Sequence, residues 1–179
     1  MPWESQKPKL DKTTQALNTI DYAHHEIHSG SHYYIEGYTT LGEGDTFKVM
    51  ITTPDTTKWS HFLWSIDSNG ITTTMLYEDE TTPLNGGTPI TPLNNNRNSD
   101  NVSGMALTAG VTGATAAGLL ISQKSWGGTG FKTTFGGGHS RDDEIILKQG
   151  AVYLREFISG SADNVISFKA SWYEHKNKS

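Results

Sequence analysis

The stretch EIILKQGAVYLREFISGSADNVISFKASWYEH, residues 144–175, constrains the fold more than any other part of this chain. Ile166, Phe168, Ala170 and Trp172 recur at every second position, with Ser167, Lys169 and Ser171 between them. Side chains on a strand point alternately to its two faces, so this pattern predicts a strand buried on one side and wet on the other. SGSADN, just before it, has turn chemistry, and the whole stretch reads as two strands joined by a turn. The segment is thereby tied into a sheet.

The same period recurs upstream. Tyr33 and Ile35 share a face, with Tyr34, Glu36 and Tyr38 opposite. Phe47, Val49 and Ile51 fall together, with Lys48, Met50 and Thr52 pointing away. Phe62, Trp64 and Ile66 oppose Trp59, His61 and Leu63, which predicts a central strand covered on both faces, by a second sheet or by another subunit. DSNG then offers a tight turn with Gly70 at positive φ, and Ile71, Thr73, Met75 and Tyr77 return in register, so a hairpin is expected here. Residues 81–101 carry three prolines and an asparagine run, which suits an exposed loop or a pair of short edge segments. Residues 103–126 should hold two strands around a small-residue turn, with Leu119 and Ile121 inward; the glycine-rich stretch after them has Phe131 and Phe135 as anchors.

Nineteen glycines and many Thr, Ser and Asn residues disfavour helix interiors. The chain is therefore expected to be all-β, a β-sandwich of roughly eight strands over residues 31–179, with a jelly roll the favoured topology. Residues 1–30, with Pro2 and Pro8, form an N-terminal arm, partly extended, with room for a short helical turn. A chain of this length buries on the order of 70% of its unfolded surface and needs no staples.

The chain has no cysteine, which excludes disulfides, thiolate metal sites and a cysteine nucleophile. The N-terminus lacks an apolar signal region and no stretch is long and apolar enough to span a membrane, so a protein assembled inside the cell, off the membrane, is expected. The net charge of -5, with fourteen scattered Lys and Arg residues, argues against nucleic-acid binding.

HHEIHSGSHYY places His24, His25, His28 and His32 close to Glu26. As a strand it would put His24, Glu26 and His28 on one face, a competent set for zinc or nickel. The helical zinc-protease arrangement is broken, because Ser29 stands where the second histidine would follow His25 and Glu26. A polar segment at an interface is the preferred reading, and no metal or other cofactor is expected. No Gly-x-Ser-x-Gly elbow occurs, and His139, Ser140 and Asp142 are merely adjacent in sequence, so no catalytic residue is assigned. The acidic runs Glu78–Glu80 and Asp142–Glu144 read as solvated strand ends, with a local ion pair to Arg141 in the second. The glycine-rich segments lack the Lys-Ser/Thr ending of a phosphate loop. Trp126 and Phe131 lie in polar or glycine-rich surroundings and are candidates for stacking on a sugar or anchoring a partner, as is Trp3.

Taken with QALNTIDYAHHEIHSGSHYYIEGY and ITTPDTTKWSHFLWSID, the C-terminal stretch resembles the small β-rich structural proteins encoded beside the major capsid protein in tailed-phage genomes. The resemblance runs over residues 15–175. It implies a capsid decoration, or cement, protein: a homotrimer on the outer face of the icosahedral head, assembled in the host cytoplasm, with the major capsid protein as its partner. Under that resemblance the contact residues expected are Trp3, Tyr22, His24, His25, His28 and Tyr33. The alternative is a carbohydrate-binding or host-attachment module on a head fibre or tail.

Overall fold

The structure, a computed structural model, describes residues 22–82, 85–113, 118–128, 135–136 and 143–176. One helix, α1 (Tyr22–His28), precedes β1 (His32–Leu41), β2 (Thr46–Thr52), β3 (Lys58–Ser68) and β4 (Thr72–Glu78). Three short strands follow, β5 (Thr88–Ile90), β6 (Leu93–Asn94) and β7 (Ala106–Ala109). The remainder are β8 (Leu119–Trp126), β9 (Phe135–Gly136), β10 (Ile145–Leu147), β11 (Val152–Ser159) and β12 (Asn164–Lys176). They form two antiparallel sheets: sheet A, ordered β10-β3-β12-β1-β6 with β9 also on β3, and sheet B, ordered β5-β7-β2-β11-β4-β8. The architecture is all-β and sandwich-like.

The alternation seen in the sequence decides which side chains fill the space between the sheets. Ile166, Phe168, Ala170 and Trp172 of β12 are buried there with Tyr33 and Ile35 of β1 and Phe62, Trp64 and Ile66 of β3. Sheet B supplies Val49, Ile51, Tyr153 and Phe157. Rings meet across the interface: Phe157 lies 5.7 Å from Phe168 and 5.8 Å from Trp64, and Phe47 lies 5.8 Å from Phe168. Offset and tilted ring pairs of this kind each add about 0.5–1.5 kcal/mol beyond the area they bury.

The expected hairpin between β3 and β4 does not form. β3 pairs with β12 and β10, whereas β4 pairs with β11 and β8, so the Asn69–Gly70 connection crosses from one sheet to the other. The buried residues of β4 are Thr72, Thr74 and Leu76, the parity opposite to the apolar set Ile71, Met75 and Tyr77. The cause is polar: Asn164 Nδ2 and Arg155 Nη2 supply partners for the Thr72 and Thr74 hydroxyls inside the sandwich. Gly70 serves close packing and not a positive φ, since a Cβ there would stand 2.9 Å from Ser161 Cβ. SGSADN, likewise, links β11 in sheet B to β12 in sheet A.

Two strands do form within 103–126, but β7 and β8 occupy opposite sides of sheet B. Ile121 packs against the core; Leu119 is 65% exposed, beyond the register shift between Leu76 and Tyr77. The proline-rich stretch supplies two short edge segments, β5 beside β7 and β6 beside β1. Phe131 lies outside the described residues.

Candidate binding face

Because the even-numbered residues of β12 face the core, the odd-numbered residues of β12 and β3 and the even-numbered residues of β1 form the outer face of sheet A. Register aligns them in rows. His32, Tyr173, His61 and Ile146 stand side by side on β1, β12, β3 and β10, and His175 faces Trp59 in the next row. His61 stacks on Tyr173 at 4.4 Å between centroids, and His175 lies 4.5 Å from His61. His61 Nδ1 lies 2.6 Å from Glu144 Oε1, and Tyr173 Oη donates to the same carboxylate oxygen at 2.9 Å. This network fixes the residue that enters β10 onto β3 and β12, so the short edge strand has a firm seat. Its side chains are largely covered, while Trp59 at 38% and Ile146 at 48% remain open to solvent.

Further along the same face lies an open depression of about 420 Å³. Tyr38, 76% exposed, stands beside it, with Glu36, Asp67 and Lys169 supplying charge and Ser65 and Ser167 hydroxyls. Gly37 lies in the strand beneath it, and on the core side its missing side chain leaves room for the Phe168 ring, 3.0 Å from where a Cβ would sit. Lys169 Nζ lies 4.9 Å over the Tyr34 ring, a cation–π contact that orients the ammonium. A second depression, about 220 Å³, opens at the other end of the face beside Trp59 and Ile146.

The residues expected to make contacts are distributed differently. Tyr22 is the first residue of α1, and Trp3 lies outside the described residues. His24, His25 and His28 are exposed on α1, with His24 Nε2 and His28 Nε2 3.0 Å apart. The segment is helical, not extended, so the shared face of His24, Glu26 and His28 dissolves: Glu26 is turned inward, its carboxylate accepting from Ser29 and Ser31. Among the described residues, no group of three or more His, Asp or Glu side chains is arranged to hold a metal. Tyr33 is a core residue at 2% exposure, its hydroxyl donating to Val102 O at 3.1 Å, so the aromatics presented outward from β1 are Tyr34 and Tyr38. Trp126, at the end of β8, is partly buried and packs against the core.

Of the Glu78–Glu80 run only Asp79 is solvated; Glu78 and Glu80 are largely covered. Lys148 Nζ sits 2.7 Å from both Asp79 Oδ2 and Glu78 Oε1, which hold its ammonium well above the usual range, Asp79 foremost. Tyr153 Oη donates to Glu78 Oε2 at 2.9 Å, and burial pushes this phenol up to about 12. Glu80, 5% exposed, accepts from the Thr82 backbone N–H. Asp143 pairs with Lys124 at 3.5 Å across the two sheets, and Glu144 belongs to the His61 network.

The parity of β1 already placed Tyr34, Glu36 and Tyr38 together on one face; what periodicity does not give is the strand order that sets Lys169, Ser65 and Asp67 beside them. No protein-family model, curated protein or solved structure matches this chain.

Proposed function

We propose that this chain is a non-enzymatic virion module, a capsid decoration protein that docks on the exterior of a tailed-phage head through the outer face of sheet A, with α1 beside its edge. The observation that carries the reading is the pairing of a six-stranded antiparallel sheet with outward Trp59, Ile146 and Tyr38, the first two beside histidines that are held by stacking. Exposed aromatics on a rigid support lose little entropy on docking and serve as interface anchors. A cement protein works by burying such a face across several capsid subunits, so that internal DNA pressure must break more contacts before a seam opens. Trimer formation and location on the capsid surface belong to the same proposal.

The jelly-roll topology is also a proposal. It is supported by the inner orders β10-β3-β12-β1 and β2-β11-β4-β8, eight strands along which the chain changes sheets at every step except β4 to β8. Jelly rolls occur in both viral shell and lectin domains, so topology alone does not choose between docking and sugar binding.

The test is co-sedimentation with undecorated, expanded shells of the encoding phage, titrated to saturation. Binding at a fixed ratio to capsid subunits, lost in a Trp59→Ala, Ile146→Glu double variant that melts like the parent, is the expected result. Folded protein that leaves intact shells bare refutes it.

One observation favours a second reading, glycan binding: the depression beside Tyr38 joins an exposed ring to carboxylates, hydroxyls and an ammonium. In that case a glycan array should yield ligands whose binding Tyr38→Ala abolishes.

A further inference from the structure

Between β8 and the residues leading into β10, a cleft runs into the sandwich interior with a cavity of about 40 Å³. A single water needs roughly 10–15 Å³ of such space, so the cavity admits a few waters or one small molecule. Phe62, Trp64 and Leu76 wall it, and Lys124 and Asp143 flank its mouth.

Arg155 lies against this cavity. It projects inward from β11 with the same parity as Tyr153 and Phe157, and is 6% exposed. Its Nη2 donates to Thr74 Oγ1 at 2.7 Å, and its guanidinium lies 5.7 Å from the Trp64 ring centre. Among the described residues its Nε has no acceptor, nor has Trp64 Nε1. Among the described residues no carboxylate pairs with this arginine: Asp143, at the mouth, is taken by Lys124. Burial alone lowers the guanidinium to about 10, which leaves it cationic at neutral pH.

A cation sealed inside an aromatic core without a counter-charge is costly, and it becomes acceptable when an anion joins it. Both unsatisfied groups here are donors, so the complementary guest is an acceptor. One guanidinium calls for one negative charge, and its planar fork matches a carboxylate. Asp143 repels a dianion such as phosphate, whereas Phe62 and Leu76 suit a short alkyl end. We propose that this cleft binds a small monocarboxylate, such as formate or acetate, with its oxygens on Arg155 and its carbon end against the apolar wall. The site is independent of whatever the outer face of sheet A binds.

The experiment is a titration of ¹⁵N-labelled protein with sodium acetate replacing sodium chloride at constant ionic strength, following the Trp64 indole N–H, assigned through Trp64→Phe. A saturating shift is expected. Arg155→Lys should weaken it at least tenfold, and Asp143→Asn should tighten it several-fold by removing the like charge and freeing Lys124. Asp143 is at the exposed mouth, so that variant carries the test if Arg155→Lys fails to fold. Absence of saturation, an equal response to chloride and acetate, or an affinity unchanged in Asp143→Asn would overturn the proposal.

Discussion

Asn164 Nδ2 donates to Thr72 Oγ1 at 2.9 Å, joining the first residue of β12 in sheet A to the first residue of β4 in sheet B. The same nitrogen lies 3.0 Å from Ile71 O and 3.1 Å from Ser159 Oγ. Two backbone bonds converge on the corner, Gly160 N–H to Ile71 O and Gly44 N–H to Ser159 O, and Val165 N–H donates to the Asn69 side chain at Oδ1. Three sheet-to-sheet connections, after β1, β3 and β11, therefore meet around one side chain that is fully buried.

Asn164→Ala removes those donors and leaves two buried hydroxyls and a small void, so a loss of about 2–4 kcal/mol is expected. Urea unfolding of parent and variant measures it, with the midpoint shifted and the slope unchanged. A loss below about 0.5 kcal/mol would mean that the backbone bonds alone hold the corner.

Glu174 plays the matching part at the other end of β12. At 4% exposure, its carboxylate accepts from Ser103 Oγ at 2.6 Å, Trp172 Nε1 at 3.0 Å and Gly104 N–H at 3.1 Å. An ionised carboxylate is acceptor-only, whereas glutamine turns two donors toward these donors. Glu174→Gln should therefore cost about 1–2 kcal/mol and lower the melting temperature by about 5 °C, read by calorimetry. An unchanged melt would mean that the 101–105 connection is held by packing around Met105 alone.

The faces of the strands were legible in the sequence, and their partners were not. Alternation placed Tyr33 with Ile35, Phe62 with Trp64, and Phe168 with Trp172, because one buried side imposes period two on each strand. It could not tell that β3 and β4 lie in different sheets, since DSNG reads the same whether it reverses a strand beside itself or carries it across the core. β4 misled for a second reason: its inward set includes Thr72 and Thr74, chosen for the hydroxyls that Asn164 and Arg155 require. The outer face of sheet A was half visible, through Tyr34, Glu36 and Tyr38 on one strand. Its other half depends on β12 lying between β1 and β3, a long-range pairing that local periodicity does not encode.

Stability at alkaline pH should reveal Tyr153. Its folded value of about 12 lies above the usual 10, so the folded state holds this proton where the unfolded chain has lost it. The contribution is complete below about pH 10 and is lost as pH rises through 12. Arg155, lowered to about 10, carries the opposite slope, because the unfolded chain binds the extra proton between about 10 and its usual range. Comparing parent with Tyr153→Phe cancels that term. The variant should be less stable at pH 8, having lost the bonds to Glu78 and to Lys148 N–H, yet lose less stability between pH 10 and 12. Parallel stability curves over that interval, from chemical denaturation at each pH, would refute the assignment.

The arm offers the sharpest separation of folding from docking. None of residues 24–28 of α1 belongs to the hydrophobic core, which among the described residues begins at Tyr33, while His24, His25 and His28 are exposed. Glu26 is the one inward group among 24–28, and its partners Ser29 and Ser31 lie beyond the cut. Deleting residues 1–28 should leave the near-ultraviolet dichroism of the packed aromatics intact, with a melting temperature within a few degrees of the parent. If α1 lies against the shell beside sheet A, the same truncation should weaken saturable binding to expanded shells at least tenfold. Equal binding by a folded truncated protein would take the arm out of the docking mechanism and leave the Trp59–Ile146 surface to carry it.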